Sequence, residues 1–199
     1  MAELYVFALA CILLIITPGP GVLSVAGVGS GFGFAKGSLY LWGLCLGNFL
    51  VALTVASGIA ATVFATPYVR ELLLVISILY MLYLALKIAF AGSKVGFIEA
   101  DKAPKFRDGL ALQAVNPKAY VANSFLFSGF PILPDNILVE TAIKLVVWVA
   151  IWIPIHFGWL MAGIGLRQMN LSPSVQRAIN MIMAISMIAV VLLALVVDH

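Results

Sequence analysis

The chain has 199 residues, of which 64% are hydrophobic and 10% charged, with a mean hydropathy of +1.16 and a formal net charge of +3. A soluble domain carries roughly 25% charged residues. This composition excludes a water-soluble globular protein, gives no sign of a nucleic-acid partner, and predicts an all-α integral membrane protein whose spans, at about 20 residues each, leave no room for a further domain.

The apolar runs predict six spans, at 4–28, 37–64, 67–90, 109–130, 138–161 and 173–197. The first has the length of a signal-peptide core, but Met1, Ala2 and Glu3 include no Lys or Arg and apolar character resumes at Val22 and Leu23. It is expected to be interrupted, not removed. The interruption is Thr17-Pro18-Gly19-Pro20-Gly21. A proline inside a helix removes a hydrogen bond and adds a clash, together about 3 kcal/mol or more. In hydrocarbon the freed backbone must be satisfied by protein, solute or a wet cavity.

Glycines 27, 29, 31, 33 and 37 fit no G-x-G-x-x-G or G-x-x-x-x-G-K-[ST] register and predict a bend between the first two spans. In the second span Gly43, Gly47, Thr54 and Gly58 form a small-residue stripe expected to pack closely on another helix. Asn48 and Ser24 are placed at the border of a cavity. The third and sixth spans open alike, with Thr66-Pro67 and Ser172-Pro173 each setting a hydroxyl N-cap before proline. The stretch 91–108 is the longest polar connection. Cys11 and Cys45 lie in apolar segments without metal or disulfide spacing and read as packing residues.

The fourth span is interrupted in turn, at Asn116-Pro117-Lys118. Gln113, Asn116, Tyr120, Asn123 and Phe127 recur at steps of three and four, so on a continuous helix they share a face. That face serves either a solute pathway or interhelical hydrogen bonds. Lys118 lies about nine residues into its span, roughly 14 Å along a helix, near the middle of the ~30 Å core. A charge there costs at least ~2.5 kcal/mol. The functional reading makes Lys118, with the free N–H groups after Pro20 and Pro117, the receptor of a substrate carboxylate, and the carbonyls before each break the receptors of an ammonium. The structural reading pairs Lys118 with a carbonyl. In the fifth span His156 is either a proton relay or a packing residue. Glu3, Glu71, Asp108, Asp135, Glu140 and Asp198 all fall near ends or in loops, so no acidic group is expected at mid-membrane.

Two landmarks, the proline breaks and the capped prolines, pair the halves. Three spans is an odd number, so the second copy enters from the opposite side, giving a 3+3 inverted repeat with Pro-broken helices 1 and 4. The chain is read as a single membrane domain over 1–199, its halves at about 1–95 and 105–199 joined by a cytoplasmic loop at 91–108. Lys36, Lys94, Lys102, Lys105, Arg107 and Arg167 crowd one side, which marks it as cytoplasmic and both termini as extracytoplasmic.

The runs TPGPGVLSV, GFGFAKG and FRDGLALQAVNPKAY, with the chain length and the six-span plan, resemble the lysine exporter (LysE/RhtB-type) family of amino acid efflux proteins. The resemblance implies a secondary transporter, not an enzyme, that exports amino acids or similar small metabolites across the cytoplasmic membrane, driven by the proton gradient. Its motifs fall on Pro18, Gly19, Pro20 and Gly21 and on Asn116, Pro117 and Lys118. Gln113, Tyr120 and Asn123 complete the expected substrate-binding set, with His156 and Asn48 as coupling candidates. Asn48 stands near a position where some members are acidic. No metal or cofactor is expected. The expected partners are an amino acid-like small molecule and the lipid bilayer, and a homo-oligomer is compatible with the composition. A channel, a uniporter or a structural membrane subunit is the alternative, and saturable export with counterflow separates a carrier from a pore.

Overall fold

The computed structural model describes residues 2–17, 19–58 and 103–169, with scattered positions between 68 and 90 and between 172 and 188. Pro18, the connection as far as residue 102 and most of the third and sixth expected spans lie outside the described residues. Among those described there is no strand. The helices are α1 (Ala2–Ile16), α2 (Pro20–Ala56), α3 (Phe106–Val115), α4 (Pro117–Gly129) and α5 (Ile137–Gln168).

Both sequence interruptions are visible in the backbone. Gly19 is extended at φ −165° and ψ 179°, and Pro20 opens α2 at its first position. Asn116, at φ −81° and ψ 106°, ends α3 and begins α4, with Pro117 next. The residue before a proline is driven from the helical region by its ring, so each Pro sets both the end of one helix and the start of the next.

The bend expected among the glycines is at Gly33, whose φ of 77° and ψ of −173° lie where only glycine is comfortable. It divides α2 into a first arm, 20–32, and a second arm, 34–56. The second arm ends at Ala56, followed by Gly58 at φ 76°. The expected continuation to residue 64 lies outside the described residues. At the other end α5 exceeds its expected span and runs on to Gln168, passing through Pro154 without a break.

Close backbone approach holds these helices together. A Cβ at Gly29 would lie 2.7 Å from the Leu160 carbonyl oxygen, and one at Gly163 would collide with the Ala26 carbonyl, so the first arm of α2 sits directly on α5. The second arm sits likewise on α3, where a Cβ at Gly43 would strike the Phe106 carbonyl and one at Gly109 the Tyr40 carbonyl. Of the expected packing stripe, Gly43 and Gly47 fulfil the role. An added Cβ at Gly58 would meet nothing within 4 Å among the described residues, and Thr54 bonds back to the Val51 carbonyl.

The surface is apolar and the interior partly polar. Tyr5, Leu9, Leu13 and Ile16 of α1 are exposed while Phe7 and Cys11 are buried. In the third expected span Leu72, Val75, Leu79 and Leu82 are exposed at helical spacing, with Ala85 and Ala89 buried. Ser24, Gln113, Asn123, Lys144 and His156 are all buried. Such an arrangement suits hydrocarbon outside and a hydrogen-bonded interior. Among the described residues, Pro20–Ala56 and Ile137–Leu166 are long and apolar enough to cross a membrane.

Candidate functional site

The two interruptions meet. The Lys118 side chain, from the first turn of α4, extends to the end of α1 and donates from Nζ to the Thr17 carbonyl at 2.6 Å. Its chain passes over Gly19, where a Cβ would come within 2.6 Å of Lys118 Cδ and 2.9 Å of Nζ. A side chain at 19 would therefore displace this lysine. The carbonyl freed by one break is thus satisfied by a cation placed by the other.

The two breaks treat their amide groups differently. At α4 the Asn116 side chain accepts from the Lys118 N–H at 3.1 Å, and its own carbonyl accepts from Ala119 N at 3.0 Å. At α2 the N-cap is Gly19, which has no side chain to offer. Leu23 N reaches the Gly19 carbonyl at 3.0 Å, which leaves the Gly21 and Val22 N–H groups without an acceptor among the described residues. Asn116 therefore caps the N-terminus of α4, while that of α2 has no side-chain cap.

Beside these groups lies a cavity of about 50 Å³. Thr17, Gly19, Gly21, Gln113, Asn116 and Lys118 form its polar side, with Asn48, Asn123 and His156 also on its wall. Leu14, Val22, Leu126, Trp148 and Trp152 supply the apolar side. Asn116 Nδ2 donates to Gln113 Oε1 at 3.0 Å, and Asn123 Nδ2 donates to Asn48 Oδ1 and to the Ala119 carbonyl, both at 2.8 Å. The structure therefore brings Gly19, Gly21, Gln113, Asn116, Lys118, Asn123, Asn48 and His156 together. Pro20 and Pro117 frame the cavity through the backbone. Tyr120 lies off its wall, its hydroxyl donating to the freed Ala114 carbonyl at 2.9 Å. Ser24, also expected at the border, is buried and bonds back to the Gly21 carbonyl at 2.8 Å.

Two groups went unnoticed in the sequence. Trp148, Trp152 and His156 form a stacked column on α5, with ring centroids 5.9 Å and then 3.5 Å apart; their spacing of four residues was the available signal. The second is the pair Glu140–Lys144, at 2.6 Å and almost wholly buried. Glu140 Oε2 also accepts from the Ile132 and Leu133 N–H groups at 2.9 and 2.5 Å, and Lys144 Nζ donates to the Phe127 carbonyl at 2.9 Å. This cluster ties the end of α4 and the following turn to α5. The i, i+4 spacing of opposite charges was legible. No group of three His, Cys, Asp or Glu suited to a metal occurs among the described residues.

A family model described as LysE type translocator matches residues 12–197. The chain is also similar to a protein from Enterobacter sp. (strain 638) named leucine efflux protein, 26% identical over 121 residues that cover 58% of this chain and 57% of that one. The similarity thus spans little more than half the length of that relative. No solved structure matches.

Proposed function

This chain belongs to the LysE type translocator family, and from that premise we propose that it is a secondary transporter exporting a small zwitterionic amino acid across the cytoplasmic membrane. The observation that carries the reading is the Lys118 Nζ bond to the Thr17 carbonyl, which sets a cation, two helix interruptions and an uncapped helix N-terminus beside one cavity. A carboxylate arriving there meets the Lys118 ammonium, the free Gly21 and Val22 N–H groups and the positive end of the α2 dipole. Lys118 has three donors, so it can take the carboxylate while keeping, or after releasing, the Thr17 carbonyl.

At about 50 Å³ the cavity holds little more than a water or two. Ligand pockets run to several hundred Å³, so loading requires the walls to part, and the interruptions are the natural places for that movement. Leucine, named for the Enterobacter relative, is the first substrate to try.

The wider frame of the proposal is six spans in two oppositely inserted triplets, both termini extracytoplasmic, with export driven by the proton gradient. The paired contacts support it: the first arm of α2 lies on α5 through glycine, and α3 lies on the second arm through glycine, as expected when corresponding spans exchange partners between halves.

Charge-assisted hydrogen bonds contribute about 1.5–3 kcal/mol, or roughly ten- to hundredfold in affinity. Lys118→Met is therefore expected to lower leucine export from cells by at least about tenfold while the protein stays in the membrane fraction. Export at the wild-type rate by that variant would remove Lys118 from substrate binding.

A further inference from the structure

A zwitterion held at Lys118 by its carboxylate still has an ammonium to place, and the sequence offered the carbonyls freed by the interruptions. Three of these are already engaged. The Thr17 carbonyl accepts from Lys118 Nζ, the Leu13 carbonyl from Thr17 Oγ1 at 2.5 Å, and the Ala114 carbonyl from the Tyr120 hydroxyl. A further acceptor for the ammonium lies elsewhere on the wall.

His156 supplies one. Its Nδ1 lies 2.9 Å from the Trp152 carbonyl oxygen; a carbonyl only accepts, so Nδ1 carries the hydrogen and Nε2 of the neutral ring presents a lone pair. The Trp152 ring lies almost flat on the imidazole, at an interplanar angle of 12°, which fixes its plane. Nε2 is 3.6 Å from the point a Cβ would occupy at Gly21, where the Gln113 amide nitrogen lies at 3.0 Å. Lys118 Nζ is 2.9 Å from the corresponding point at Gly19. Two residues of chain reach at most about 7 Å. Lys118 and His156 thus flank one glycine-paved stretch, Gly19 to Gly21, on the wall of the same cavity.

We propose that His156 Nε2 accepts the substrate's α-ammonium, so that the recognised class is the α-amino acid and not the carboxylic acid alone; this rests on the carrier reading above. Proton and ammonium then compete for one lone pair. A protonated His156 has donors at both nitrogens and repels the ammonium, so the arrival of a proton expels the substrate, and exchange of one for the other takes place at a single atom. Around His156, the first arm of α2 presents Gly21, α3 the uncharged Gln113 amide, and its own helix Trp152. Among the described residues the charged group acting on it is Lys118 of α4, which the bound carboxylate offsets.

The test is counterflow of radiolabelled leucine by the full chain in liposomes at about pH 7.5 and about pH 5.5, either side of the ordinary imidazole titration. The wild type is expected to lose activity several-fold at the lower pH. His156→Gln keeps an acceptor that does not titrate, so it should retain counterflow and lose the pH dependence. His156→Phe should lose at least about tenfold of its leucine counterflow, yet still be stabilised against heat, like the wild type, by 4-methylpentanoate, which is leucine without its amino group. Full counterflow by His156→Phe, or a wild-type pH slope in His156→Gln, overturns the proposal while leaving the carrier reading intact. Absence of leucine counterflow from the wild type overturns the carrier reading and the proposal together.

Discussion

At the scale of single residues, charged side chains do the positioning. Lys118 closes the gap between two helix breaks, and Lys144 with Glu140 closes the turn after α4. Removing one partner of a buried ion pair typically costs about 3–5 kcal/mol, because the survivor is left uncompensated. Glu140→Ala is therefore expected to lower the thermal stability of the purified protein by an amount in that range, and Glu140→Ala with Lys144→Leu to recover part of it. An unchanged melting curve for Glu140→Ala would remove the cluster from the fold's support. The sequence announced Lys118, since a lysine deep in an apolar run has few reasons to be there. It did not announce the Glu140 cluster, because a carboxylate in the first turn of a helix is ordinarily solvated. Only the fold shows the Ile132 and Leu133 N–H groups turned back onto it.

At the scale of elements, proline and glycine set the architecture. Gly33 turns α2 through a conformation that side chains avoid, at a typical cost of about 1–3 kcal/mol. Gly33→Ala is expected to be destabilising by about that much. Gly158→Ala, on an open helical face with nothing within 4 Å, should be neutral or stabilising by up to about 1 kcal/mol. Equal melting temperatures for the two variants would contradict the assignment of the bend. Both interruptions were legible from Pro18-Gly19-Pro20 and Asn116-Pro117, because a missing N–H is a local property. The asymmetry between them was not. Asn116 caps α4 with its own side chain whereas Gly19 leaves α2 uncapped, and that difference depends on which way one amide points. Of the residues between 113 and 127 expected to share a face of a continuous helix, Gln113, Asn116 and Asn123 line the cavity, while the Tyr120 hydroxyl donates to the Ala114 carbonyl.

At the scale of the whole molecule, the described helices have an apolar exterior and a polar seam. In the proposed orientation, charge asymmetry between loops puts Lys36 and Lys105 on the cytoplasmic side. Cysteines placed at Lys36 and Lys105 should react with an impermeant thiol reagent only from the cytoplasmic face, and cysteines at Ser57 and Asp135 only from the opposite face. Labelling of all four from one side would end the six-span plan. The overall class was legible because hydropathy and lysine placement act over whole spans. The meeting of the two breaks was not, since it depends on the glycine contacts that set the first arm of α2 on α5 and α3 on the second arm.

The central claim is that a substrate carboxylate binds between the interruptions, on Lys118 beside Thr17. It is tested most directly by the rate at which a small thiol reagent labels Thr17→Cys, in protein whose Cys11 and Cys45 are replaced by Ala, with and without leucine. The account predicts that leucine slows labelling when Lys118 is present and has no effect when Lys118 is replaced by Met. Labelling that leucine leaves unchanged, or slows equally in both proteins, would contradict it.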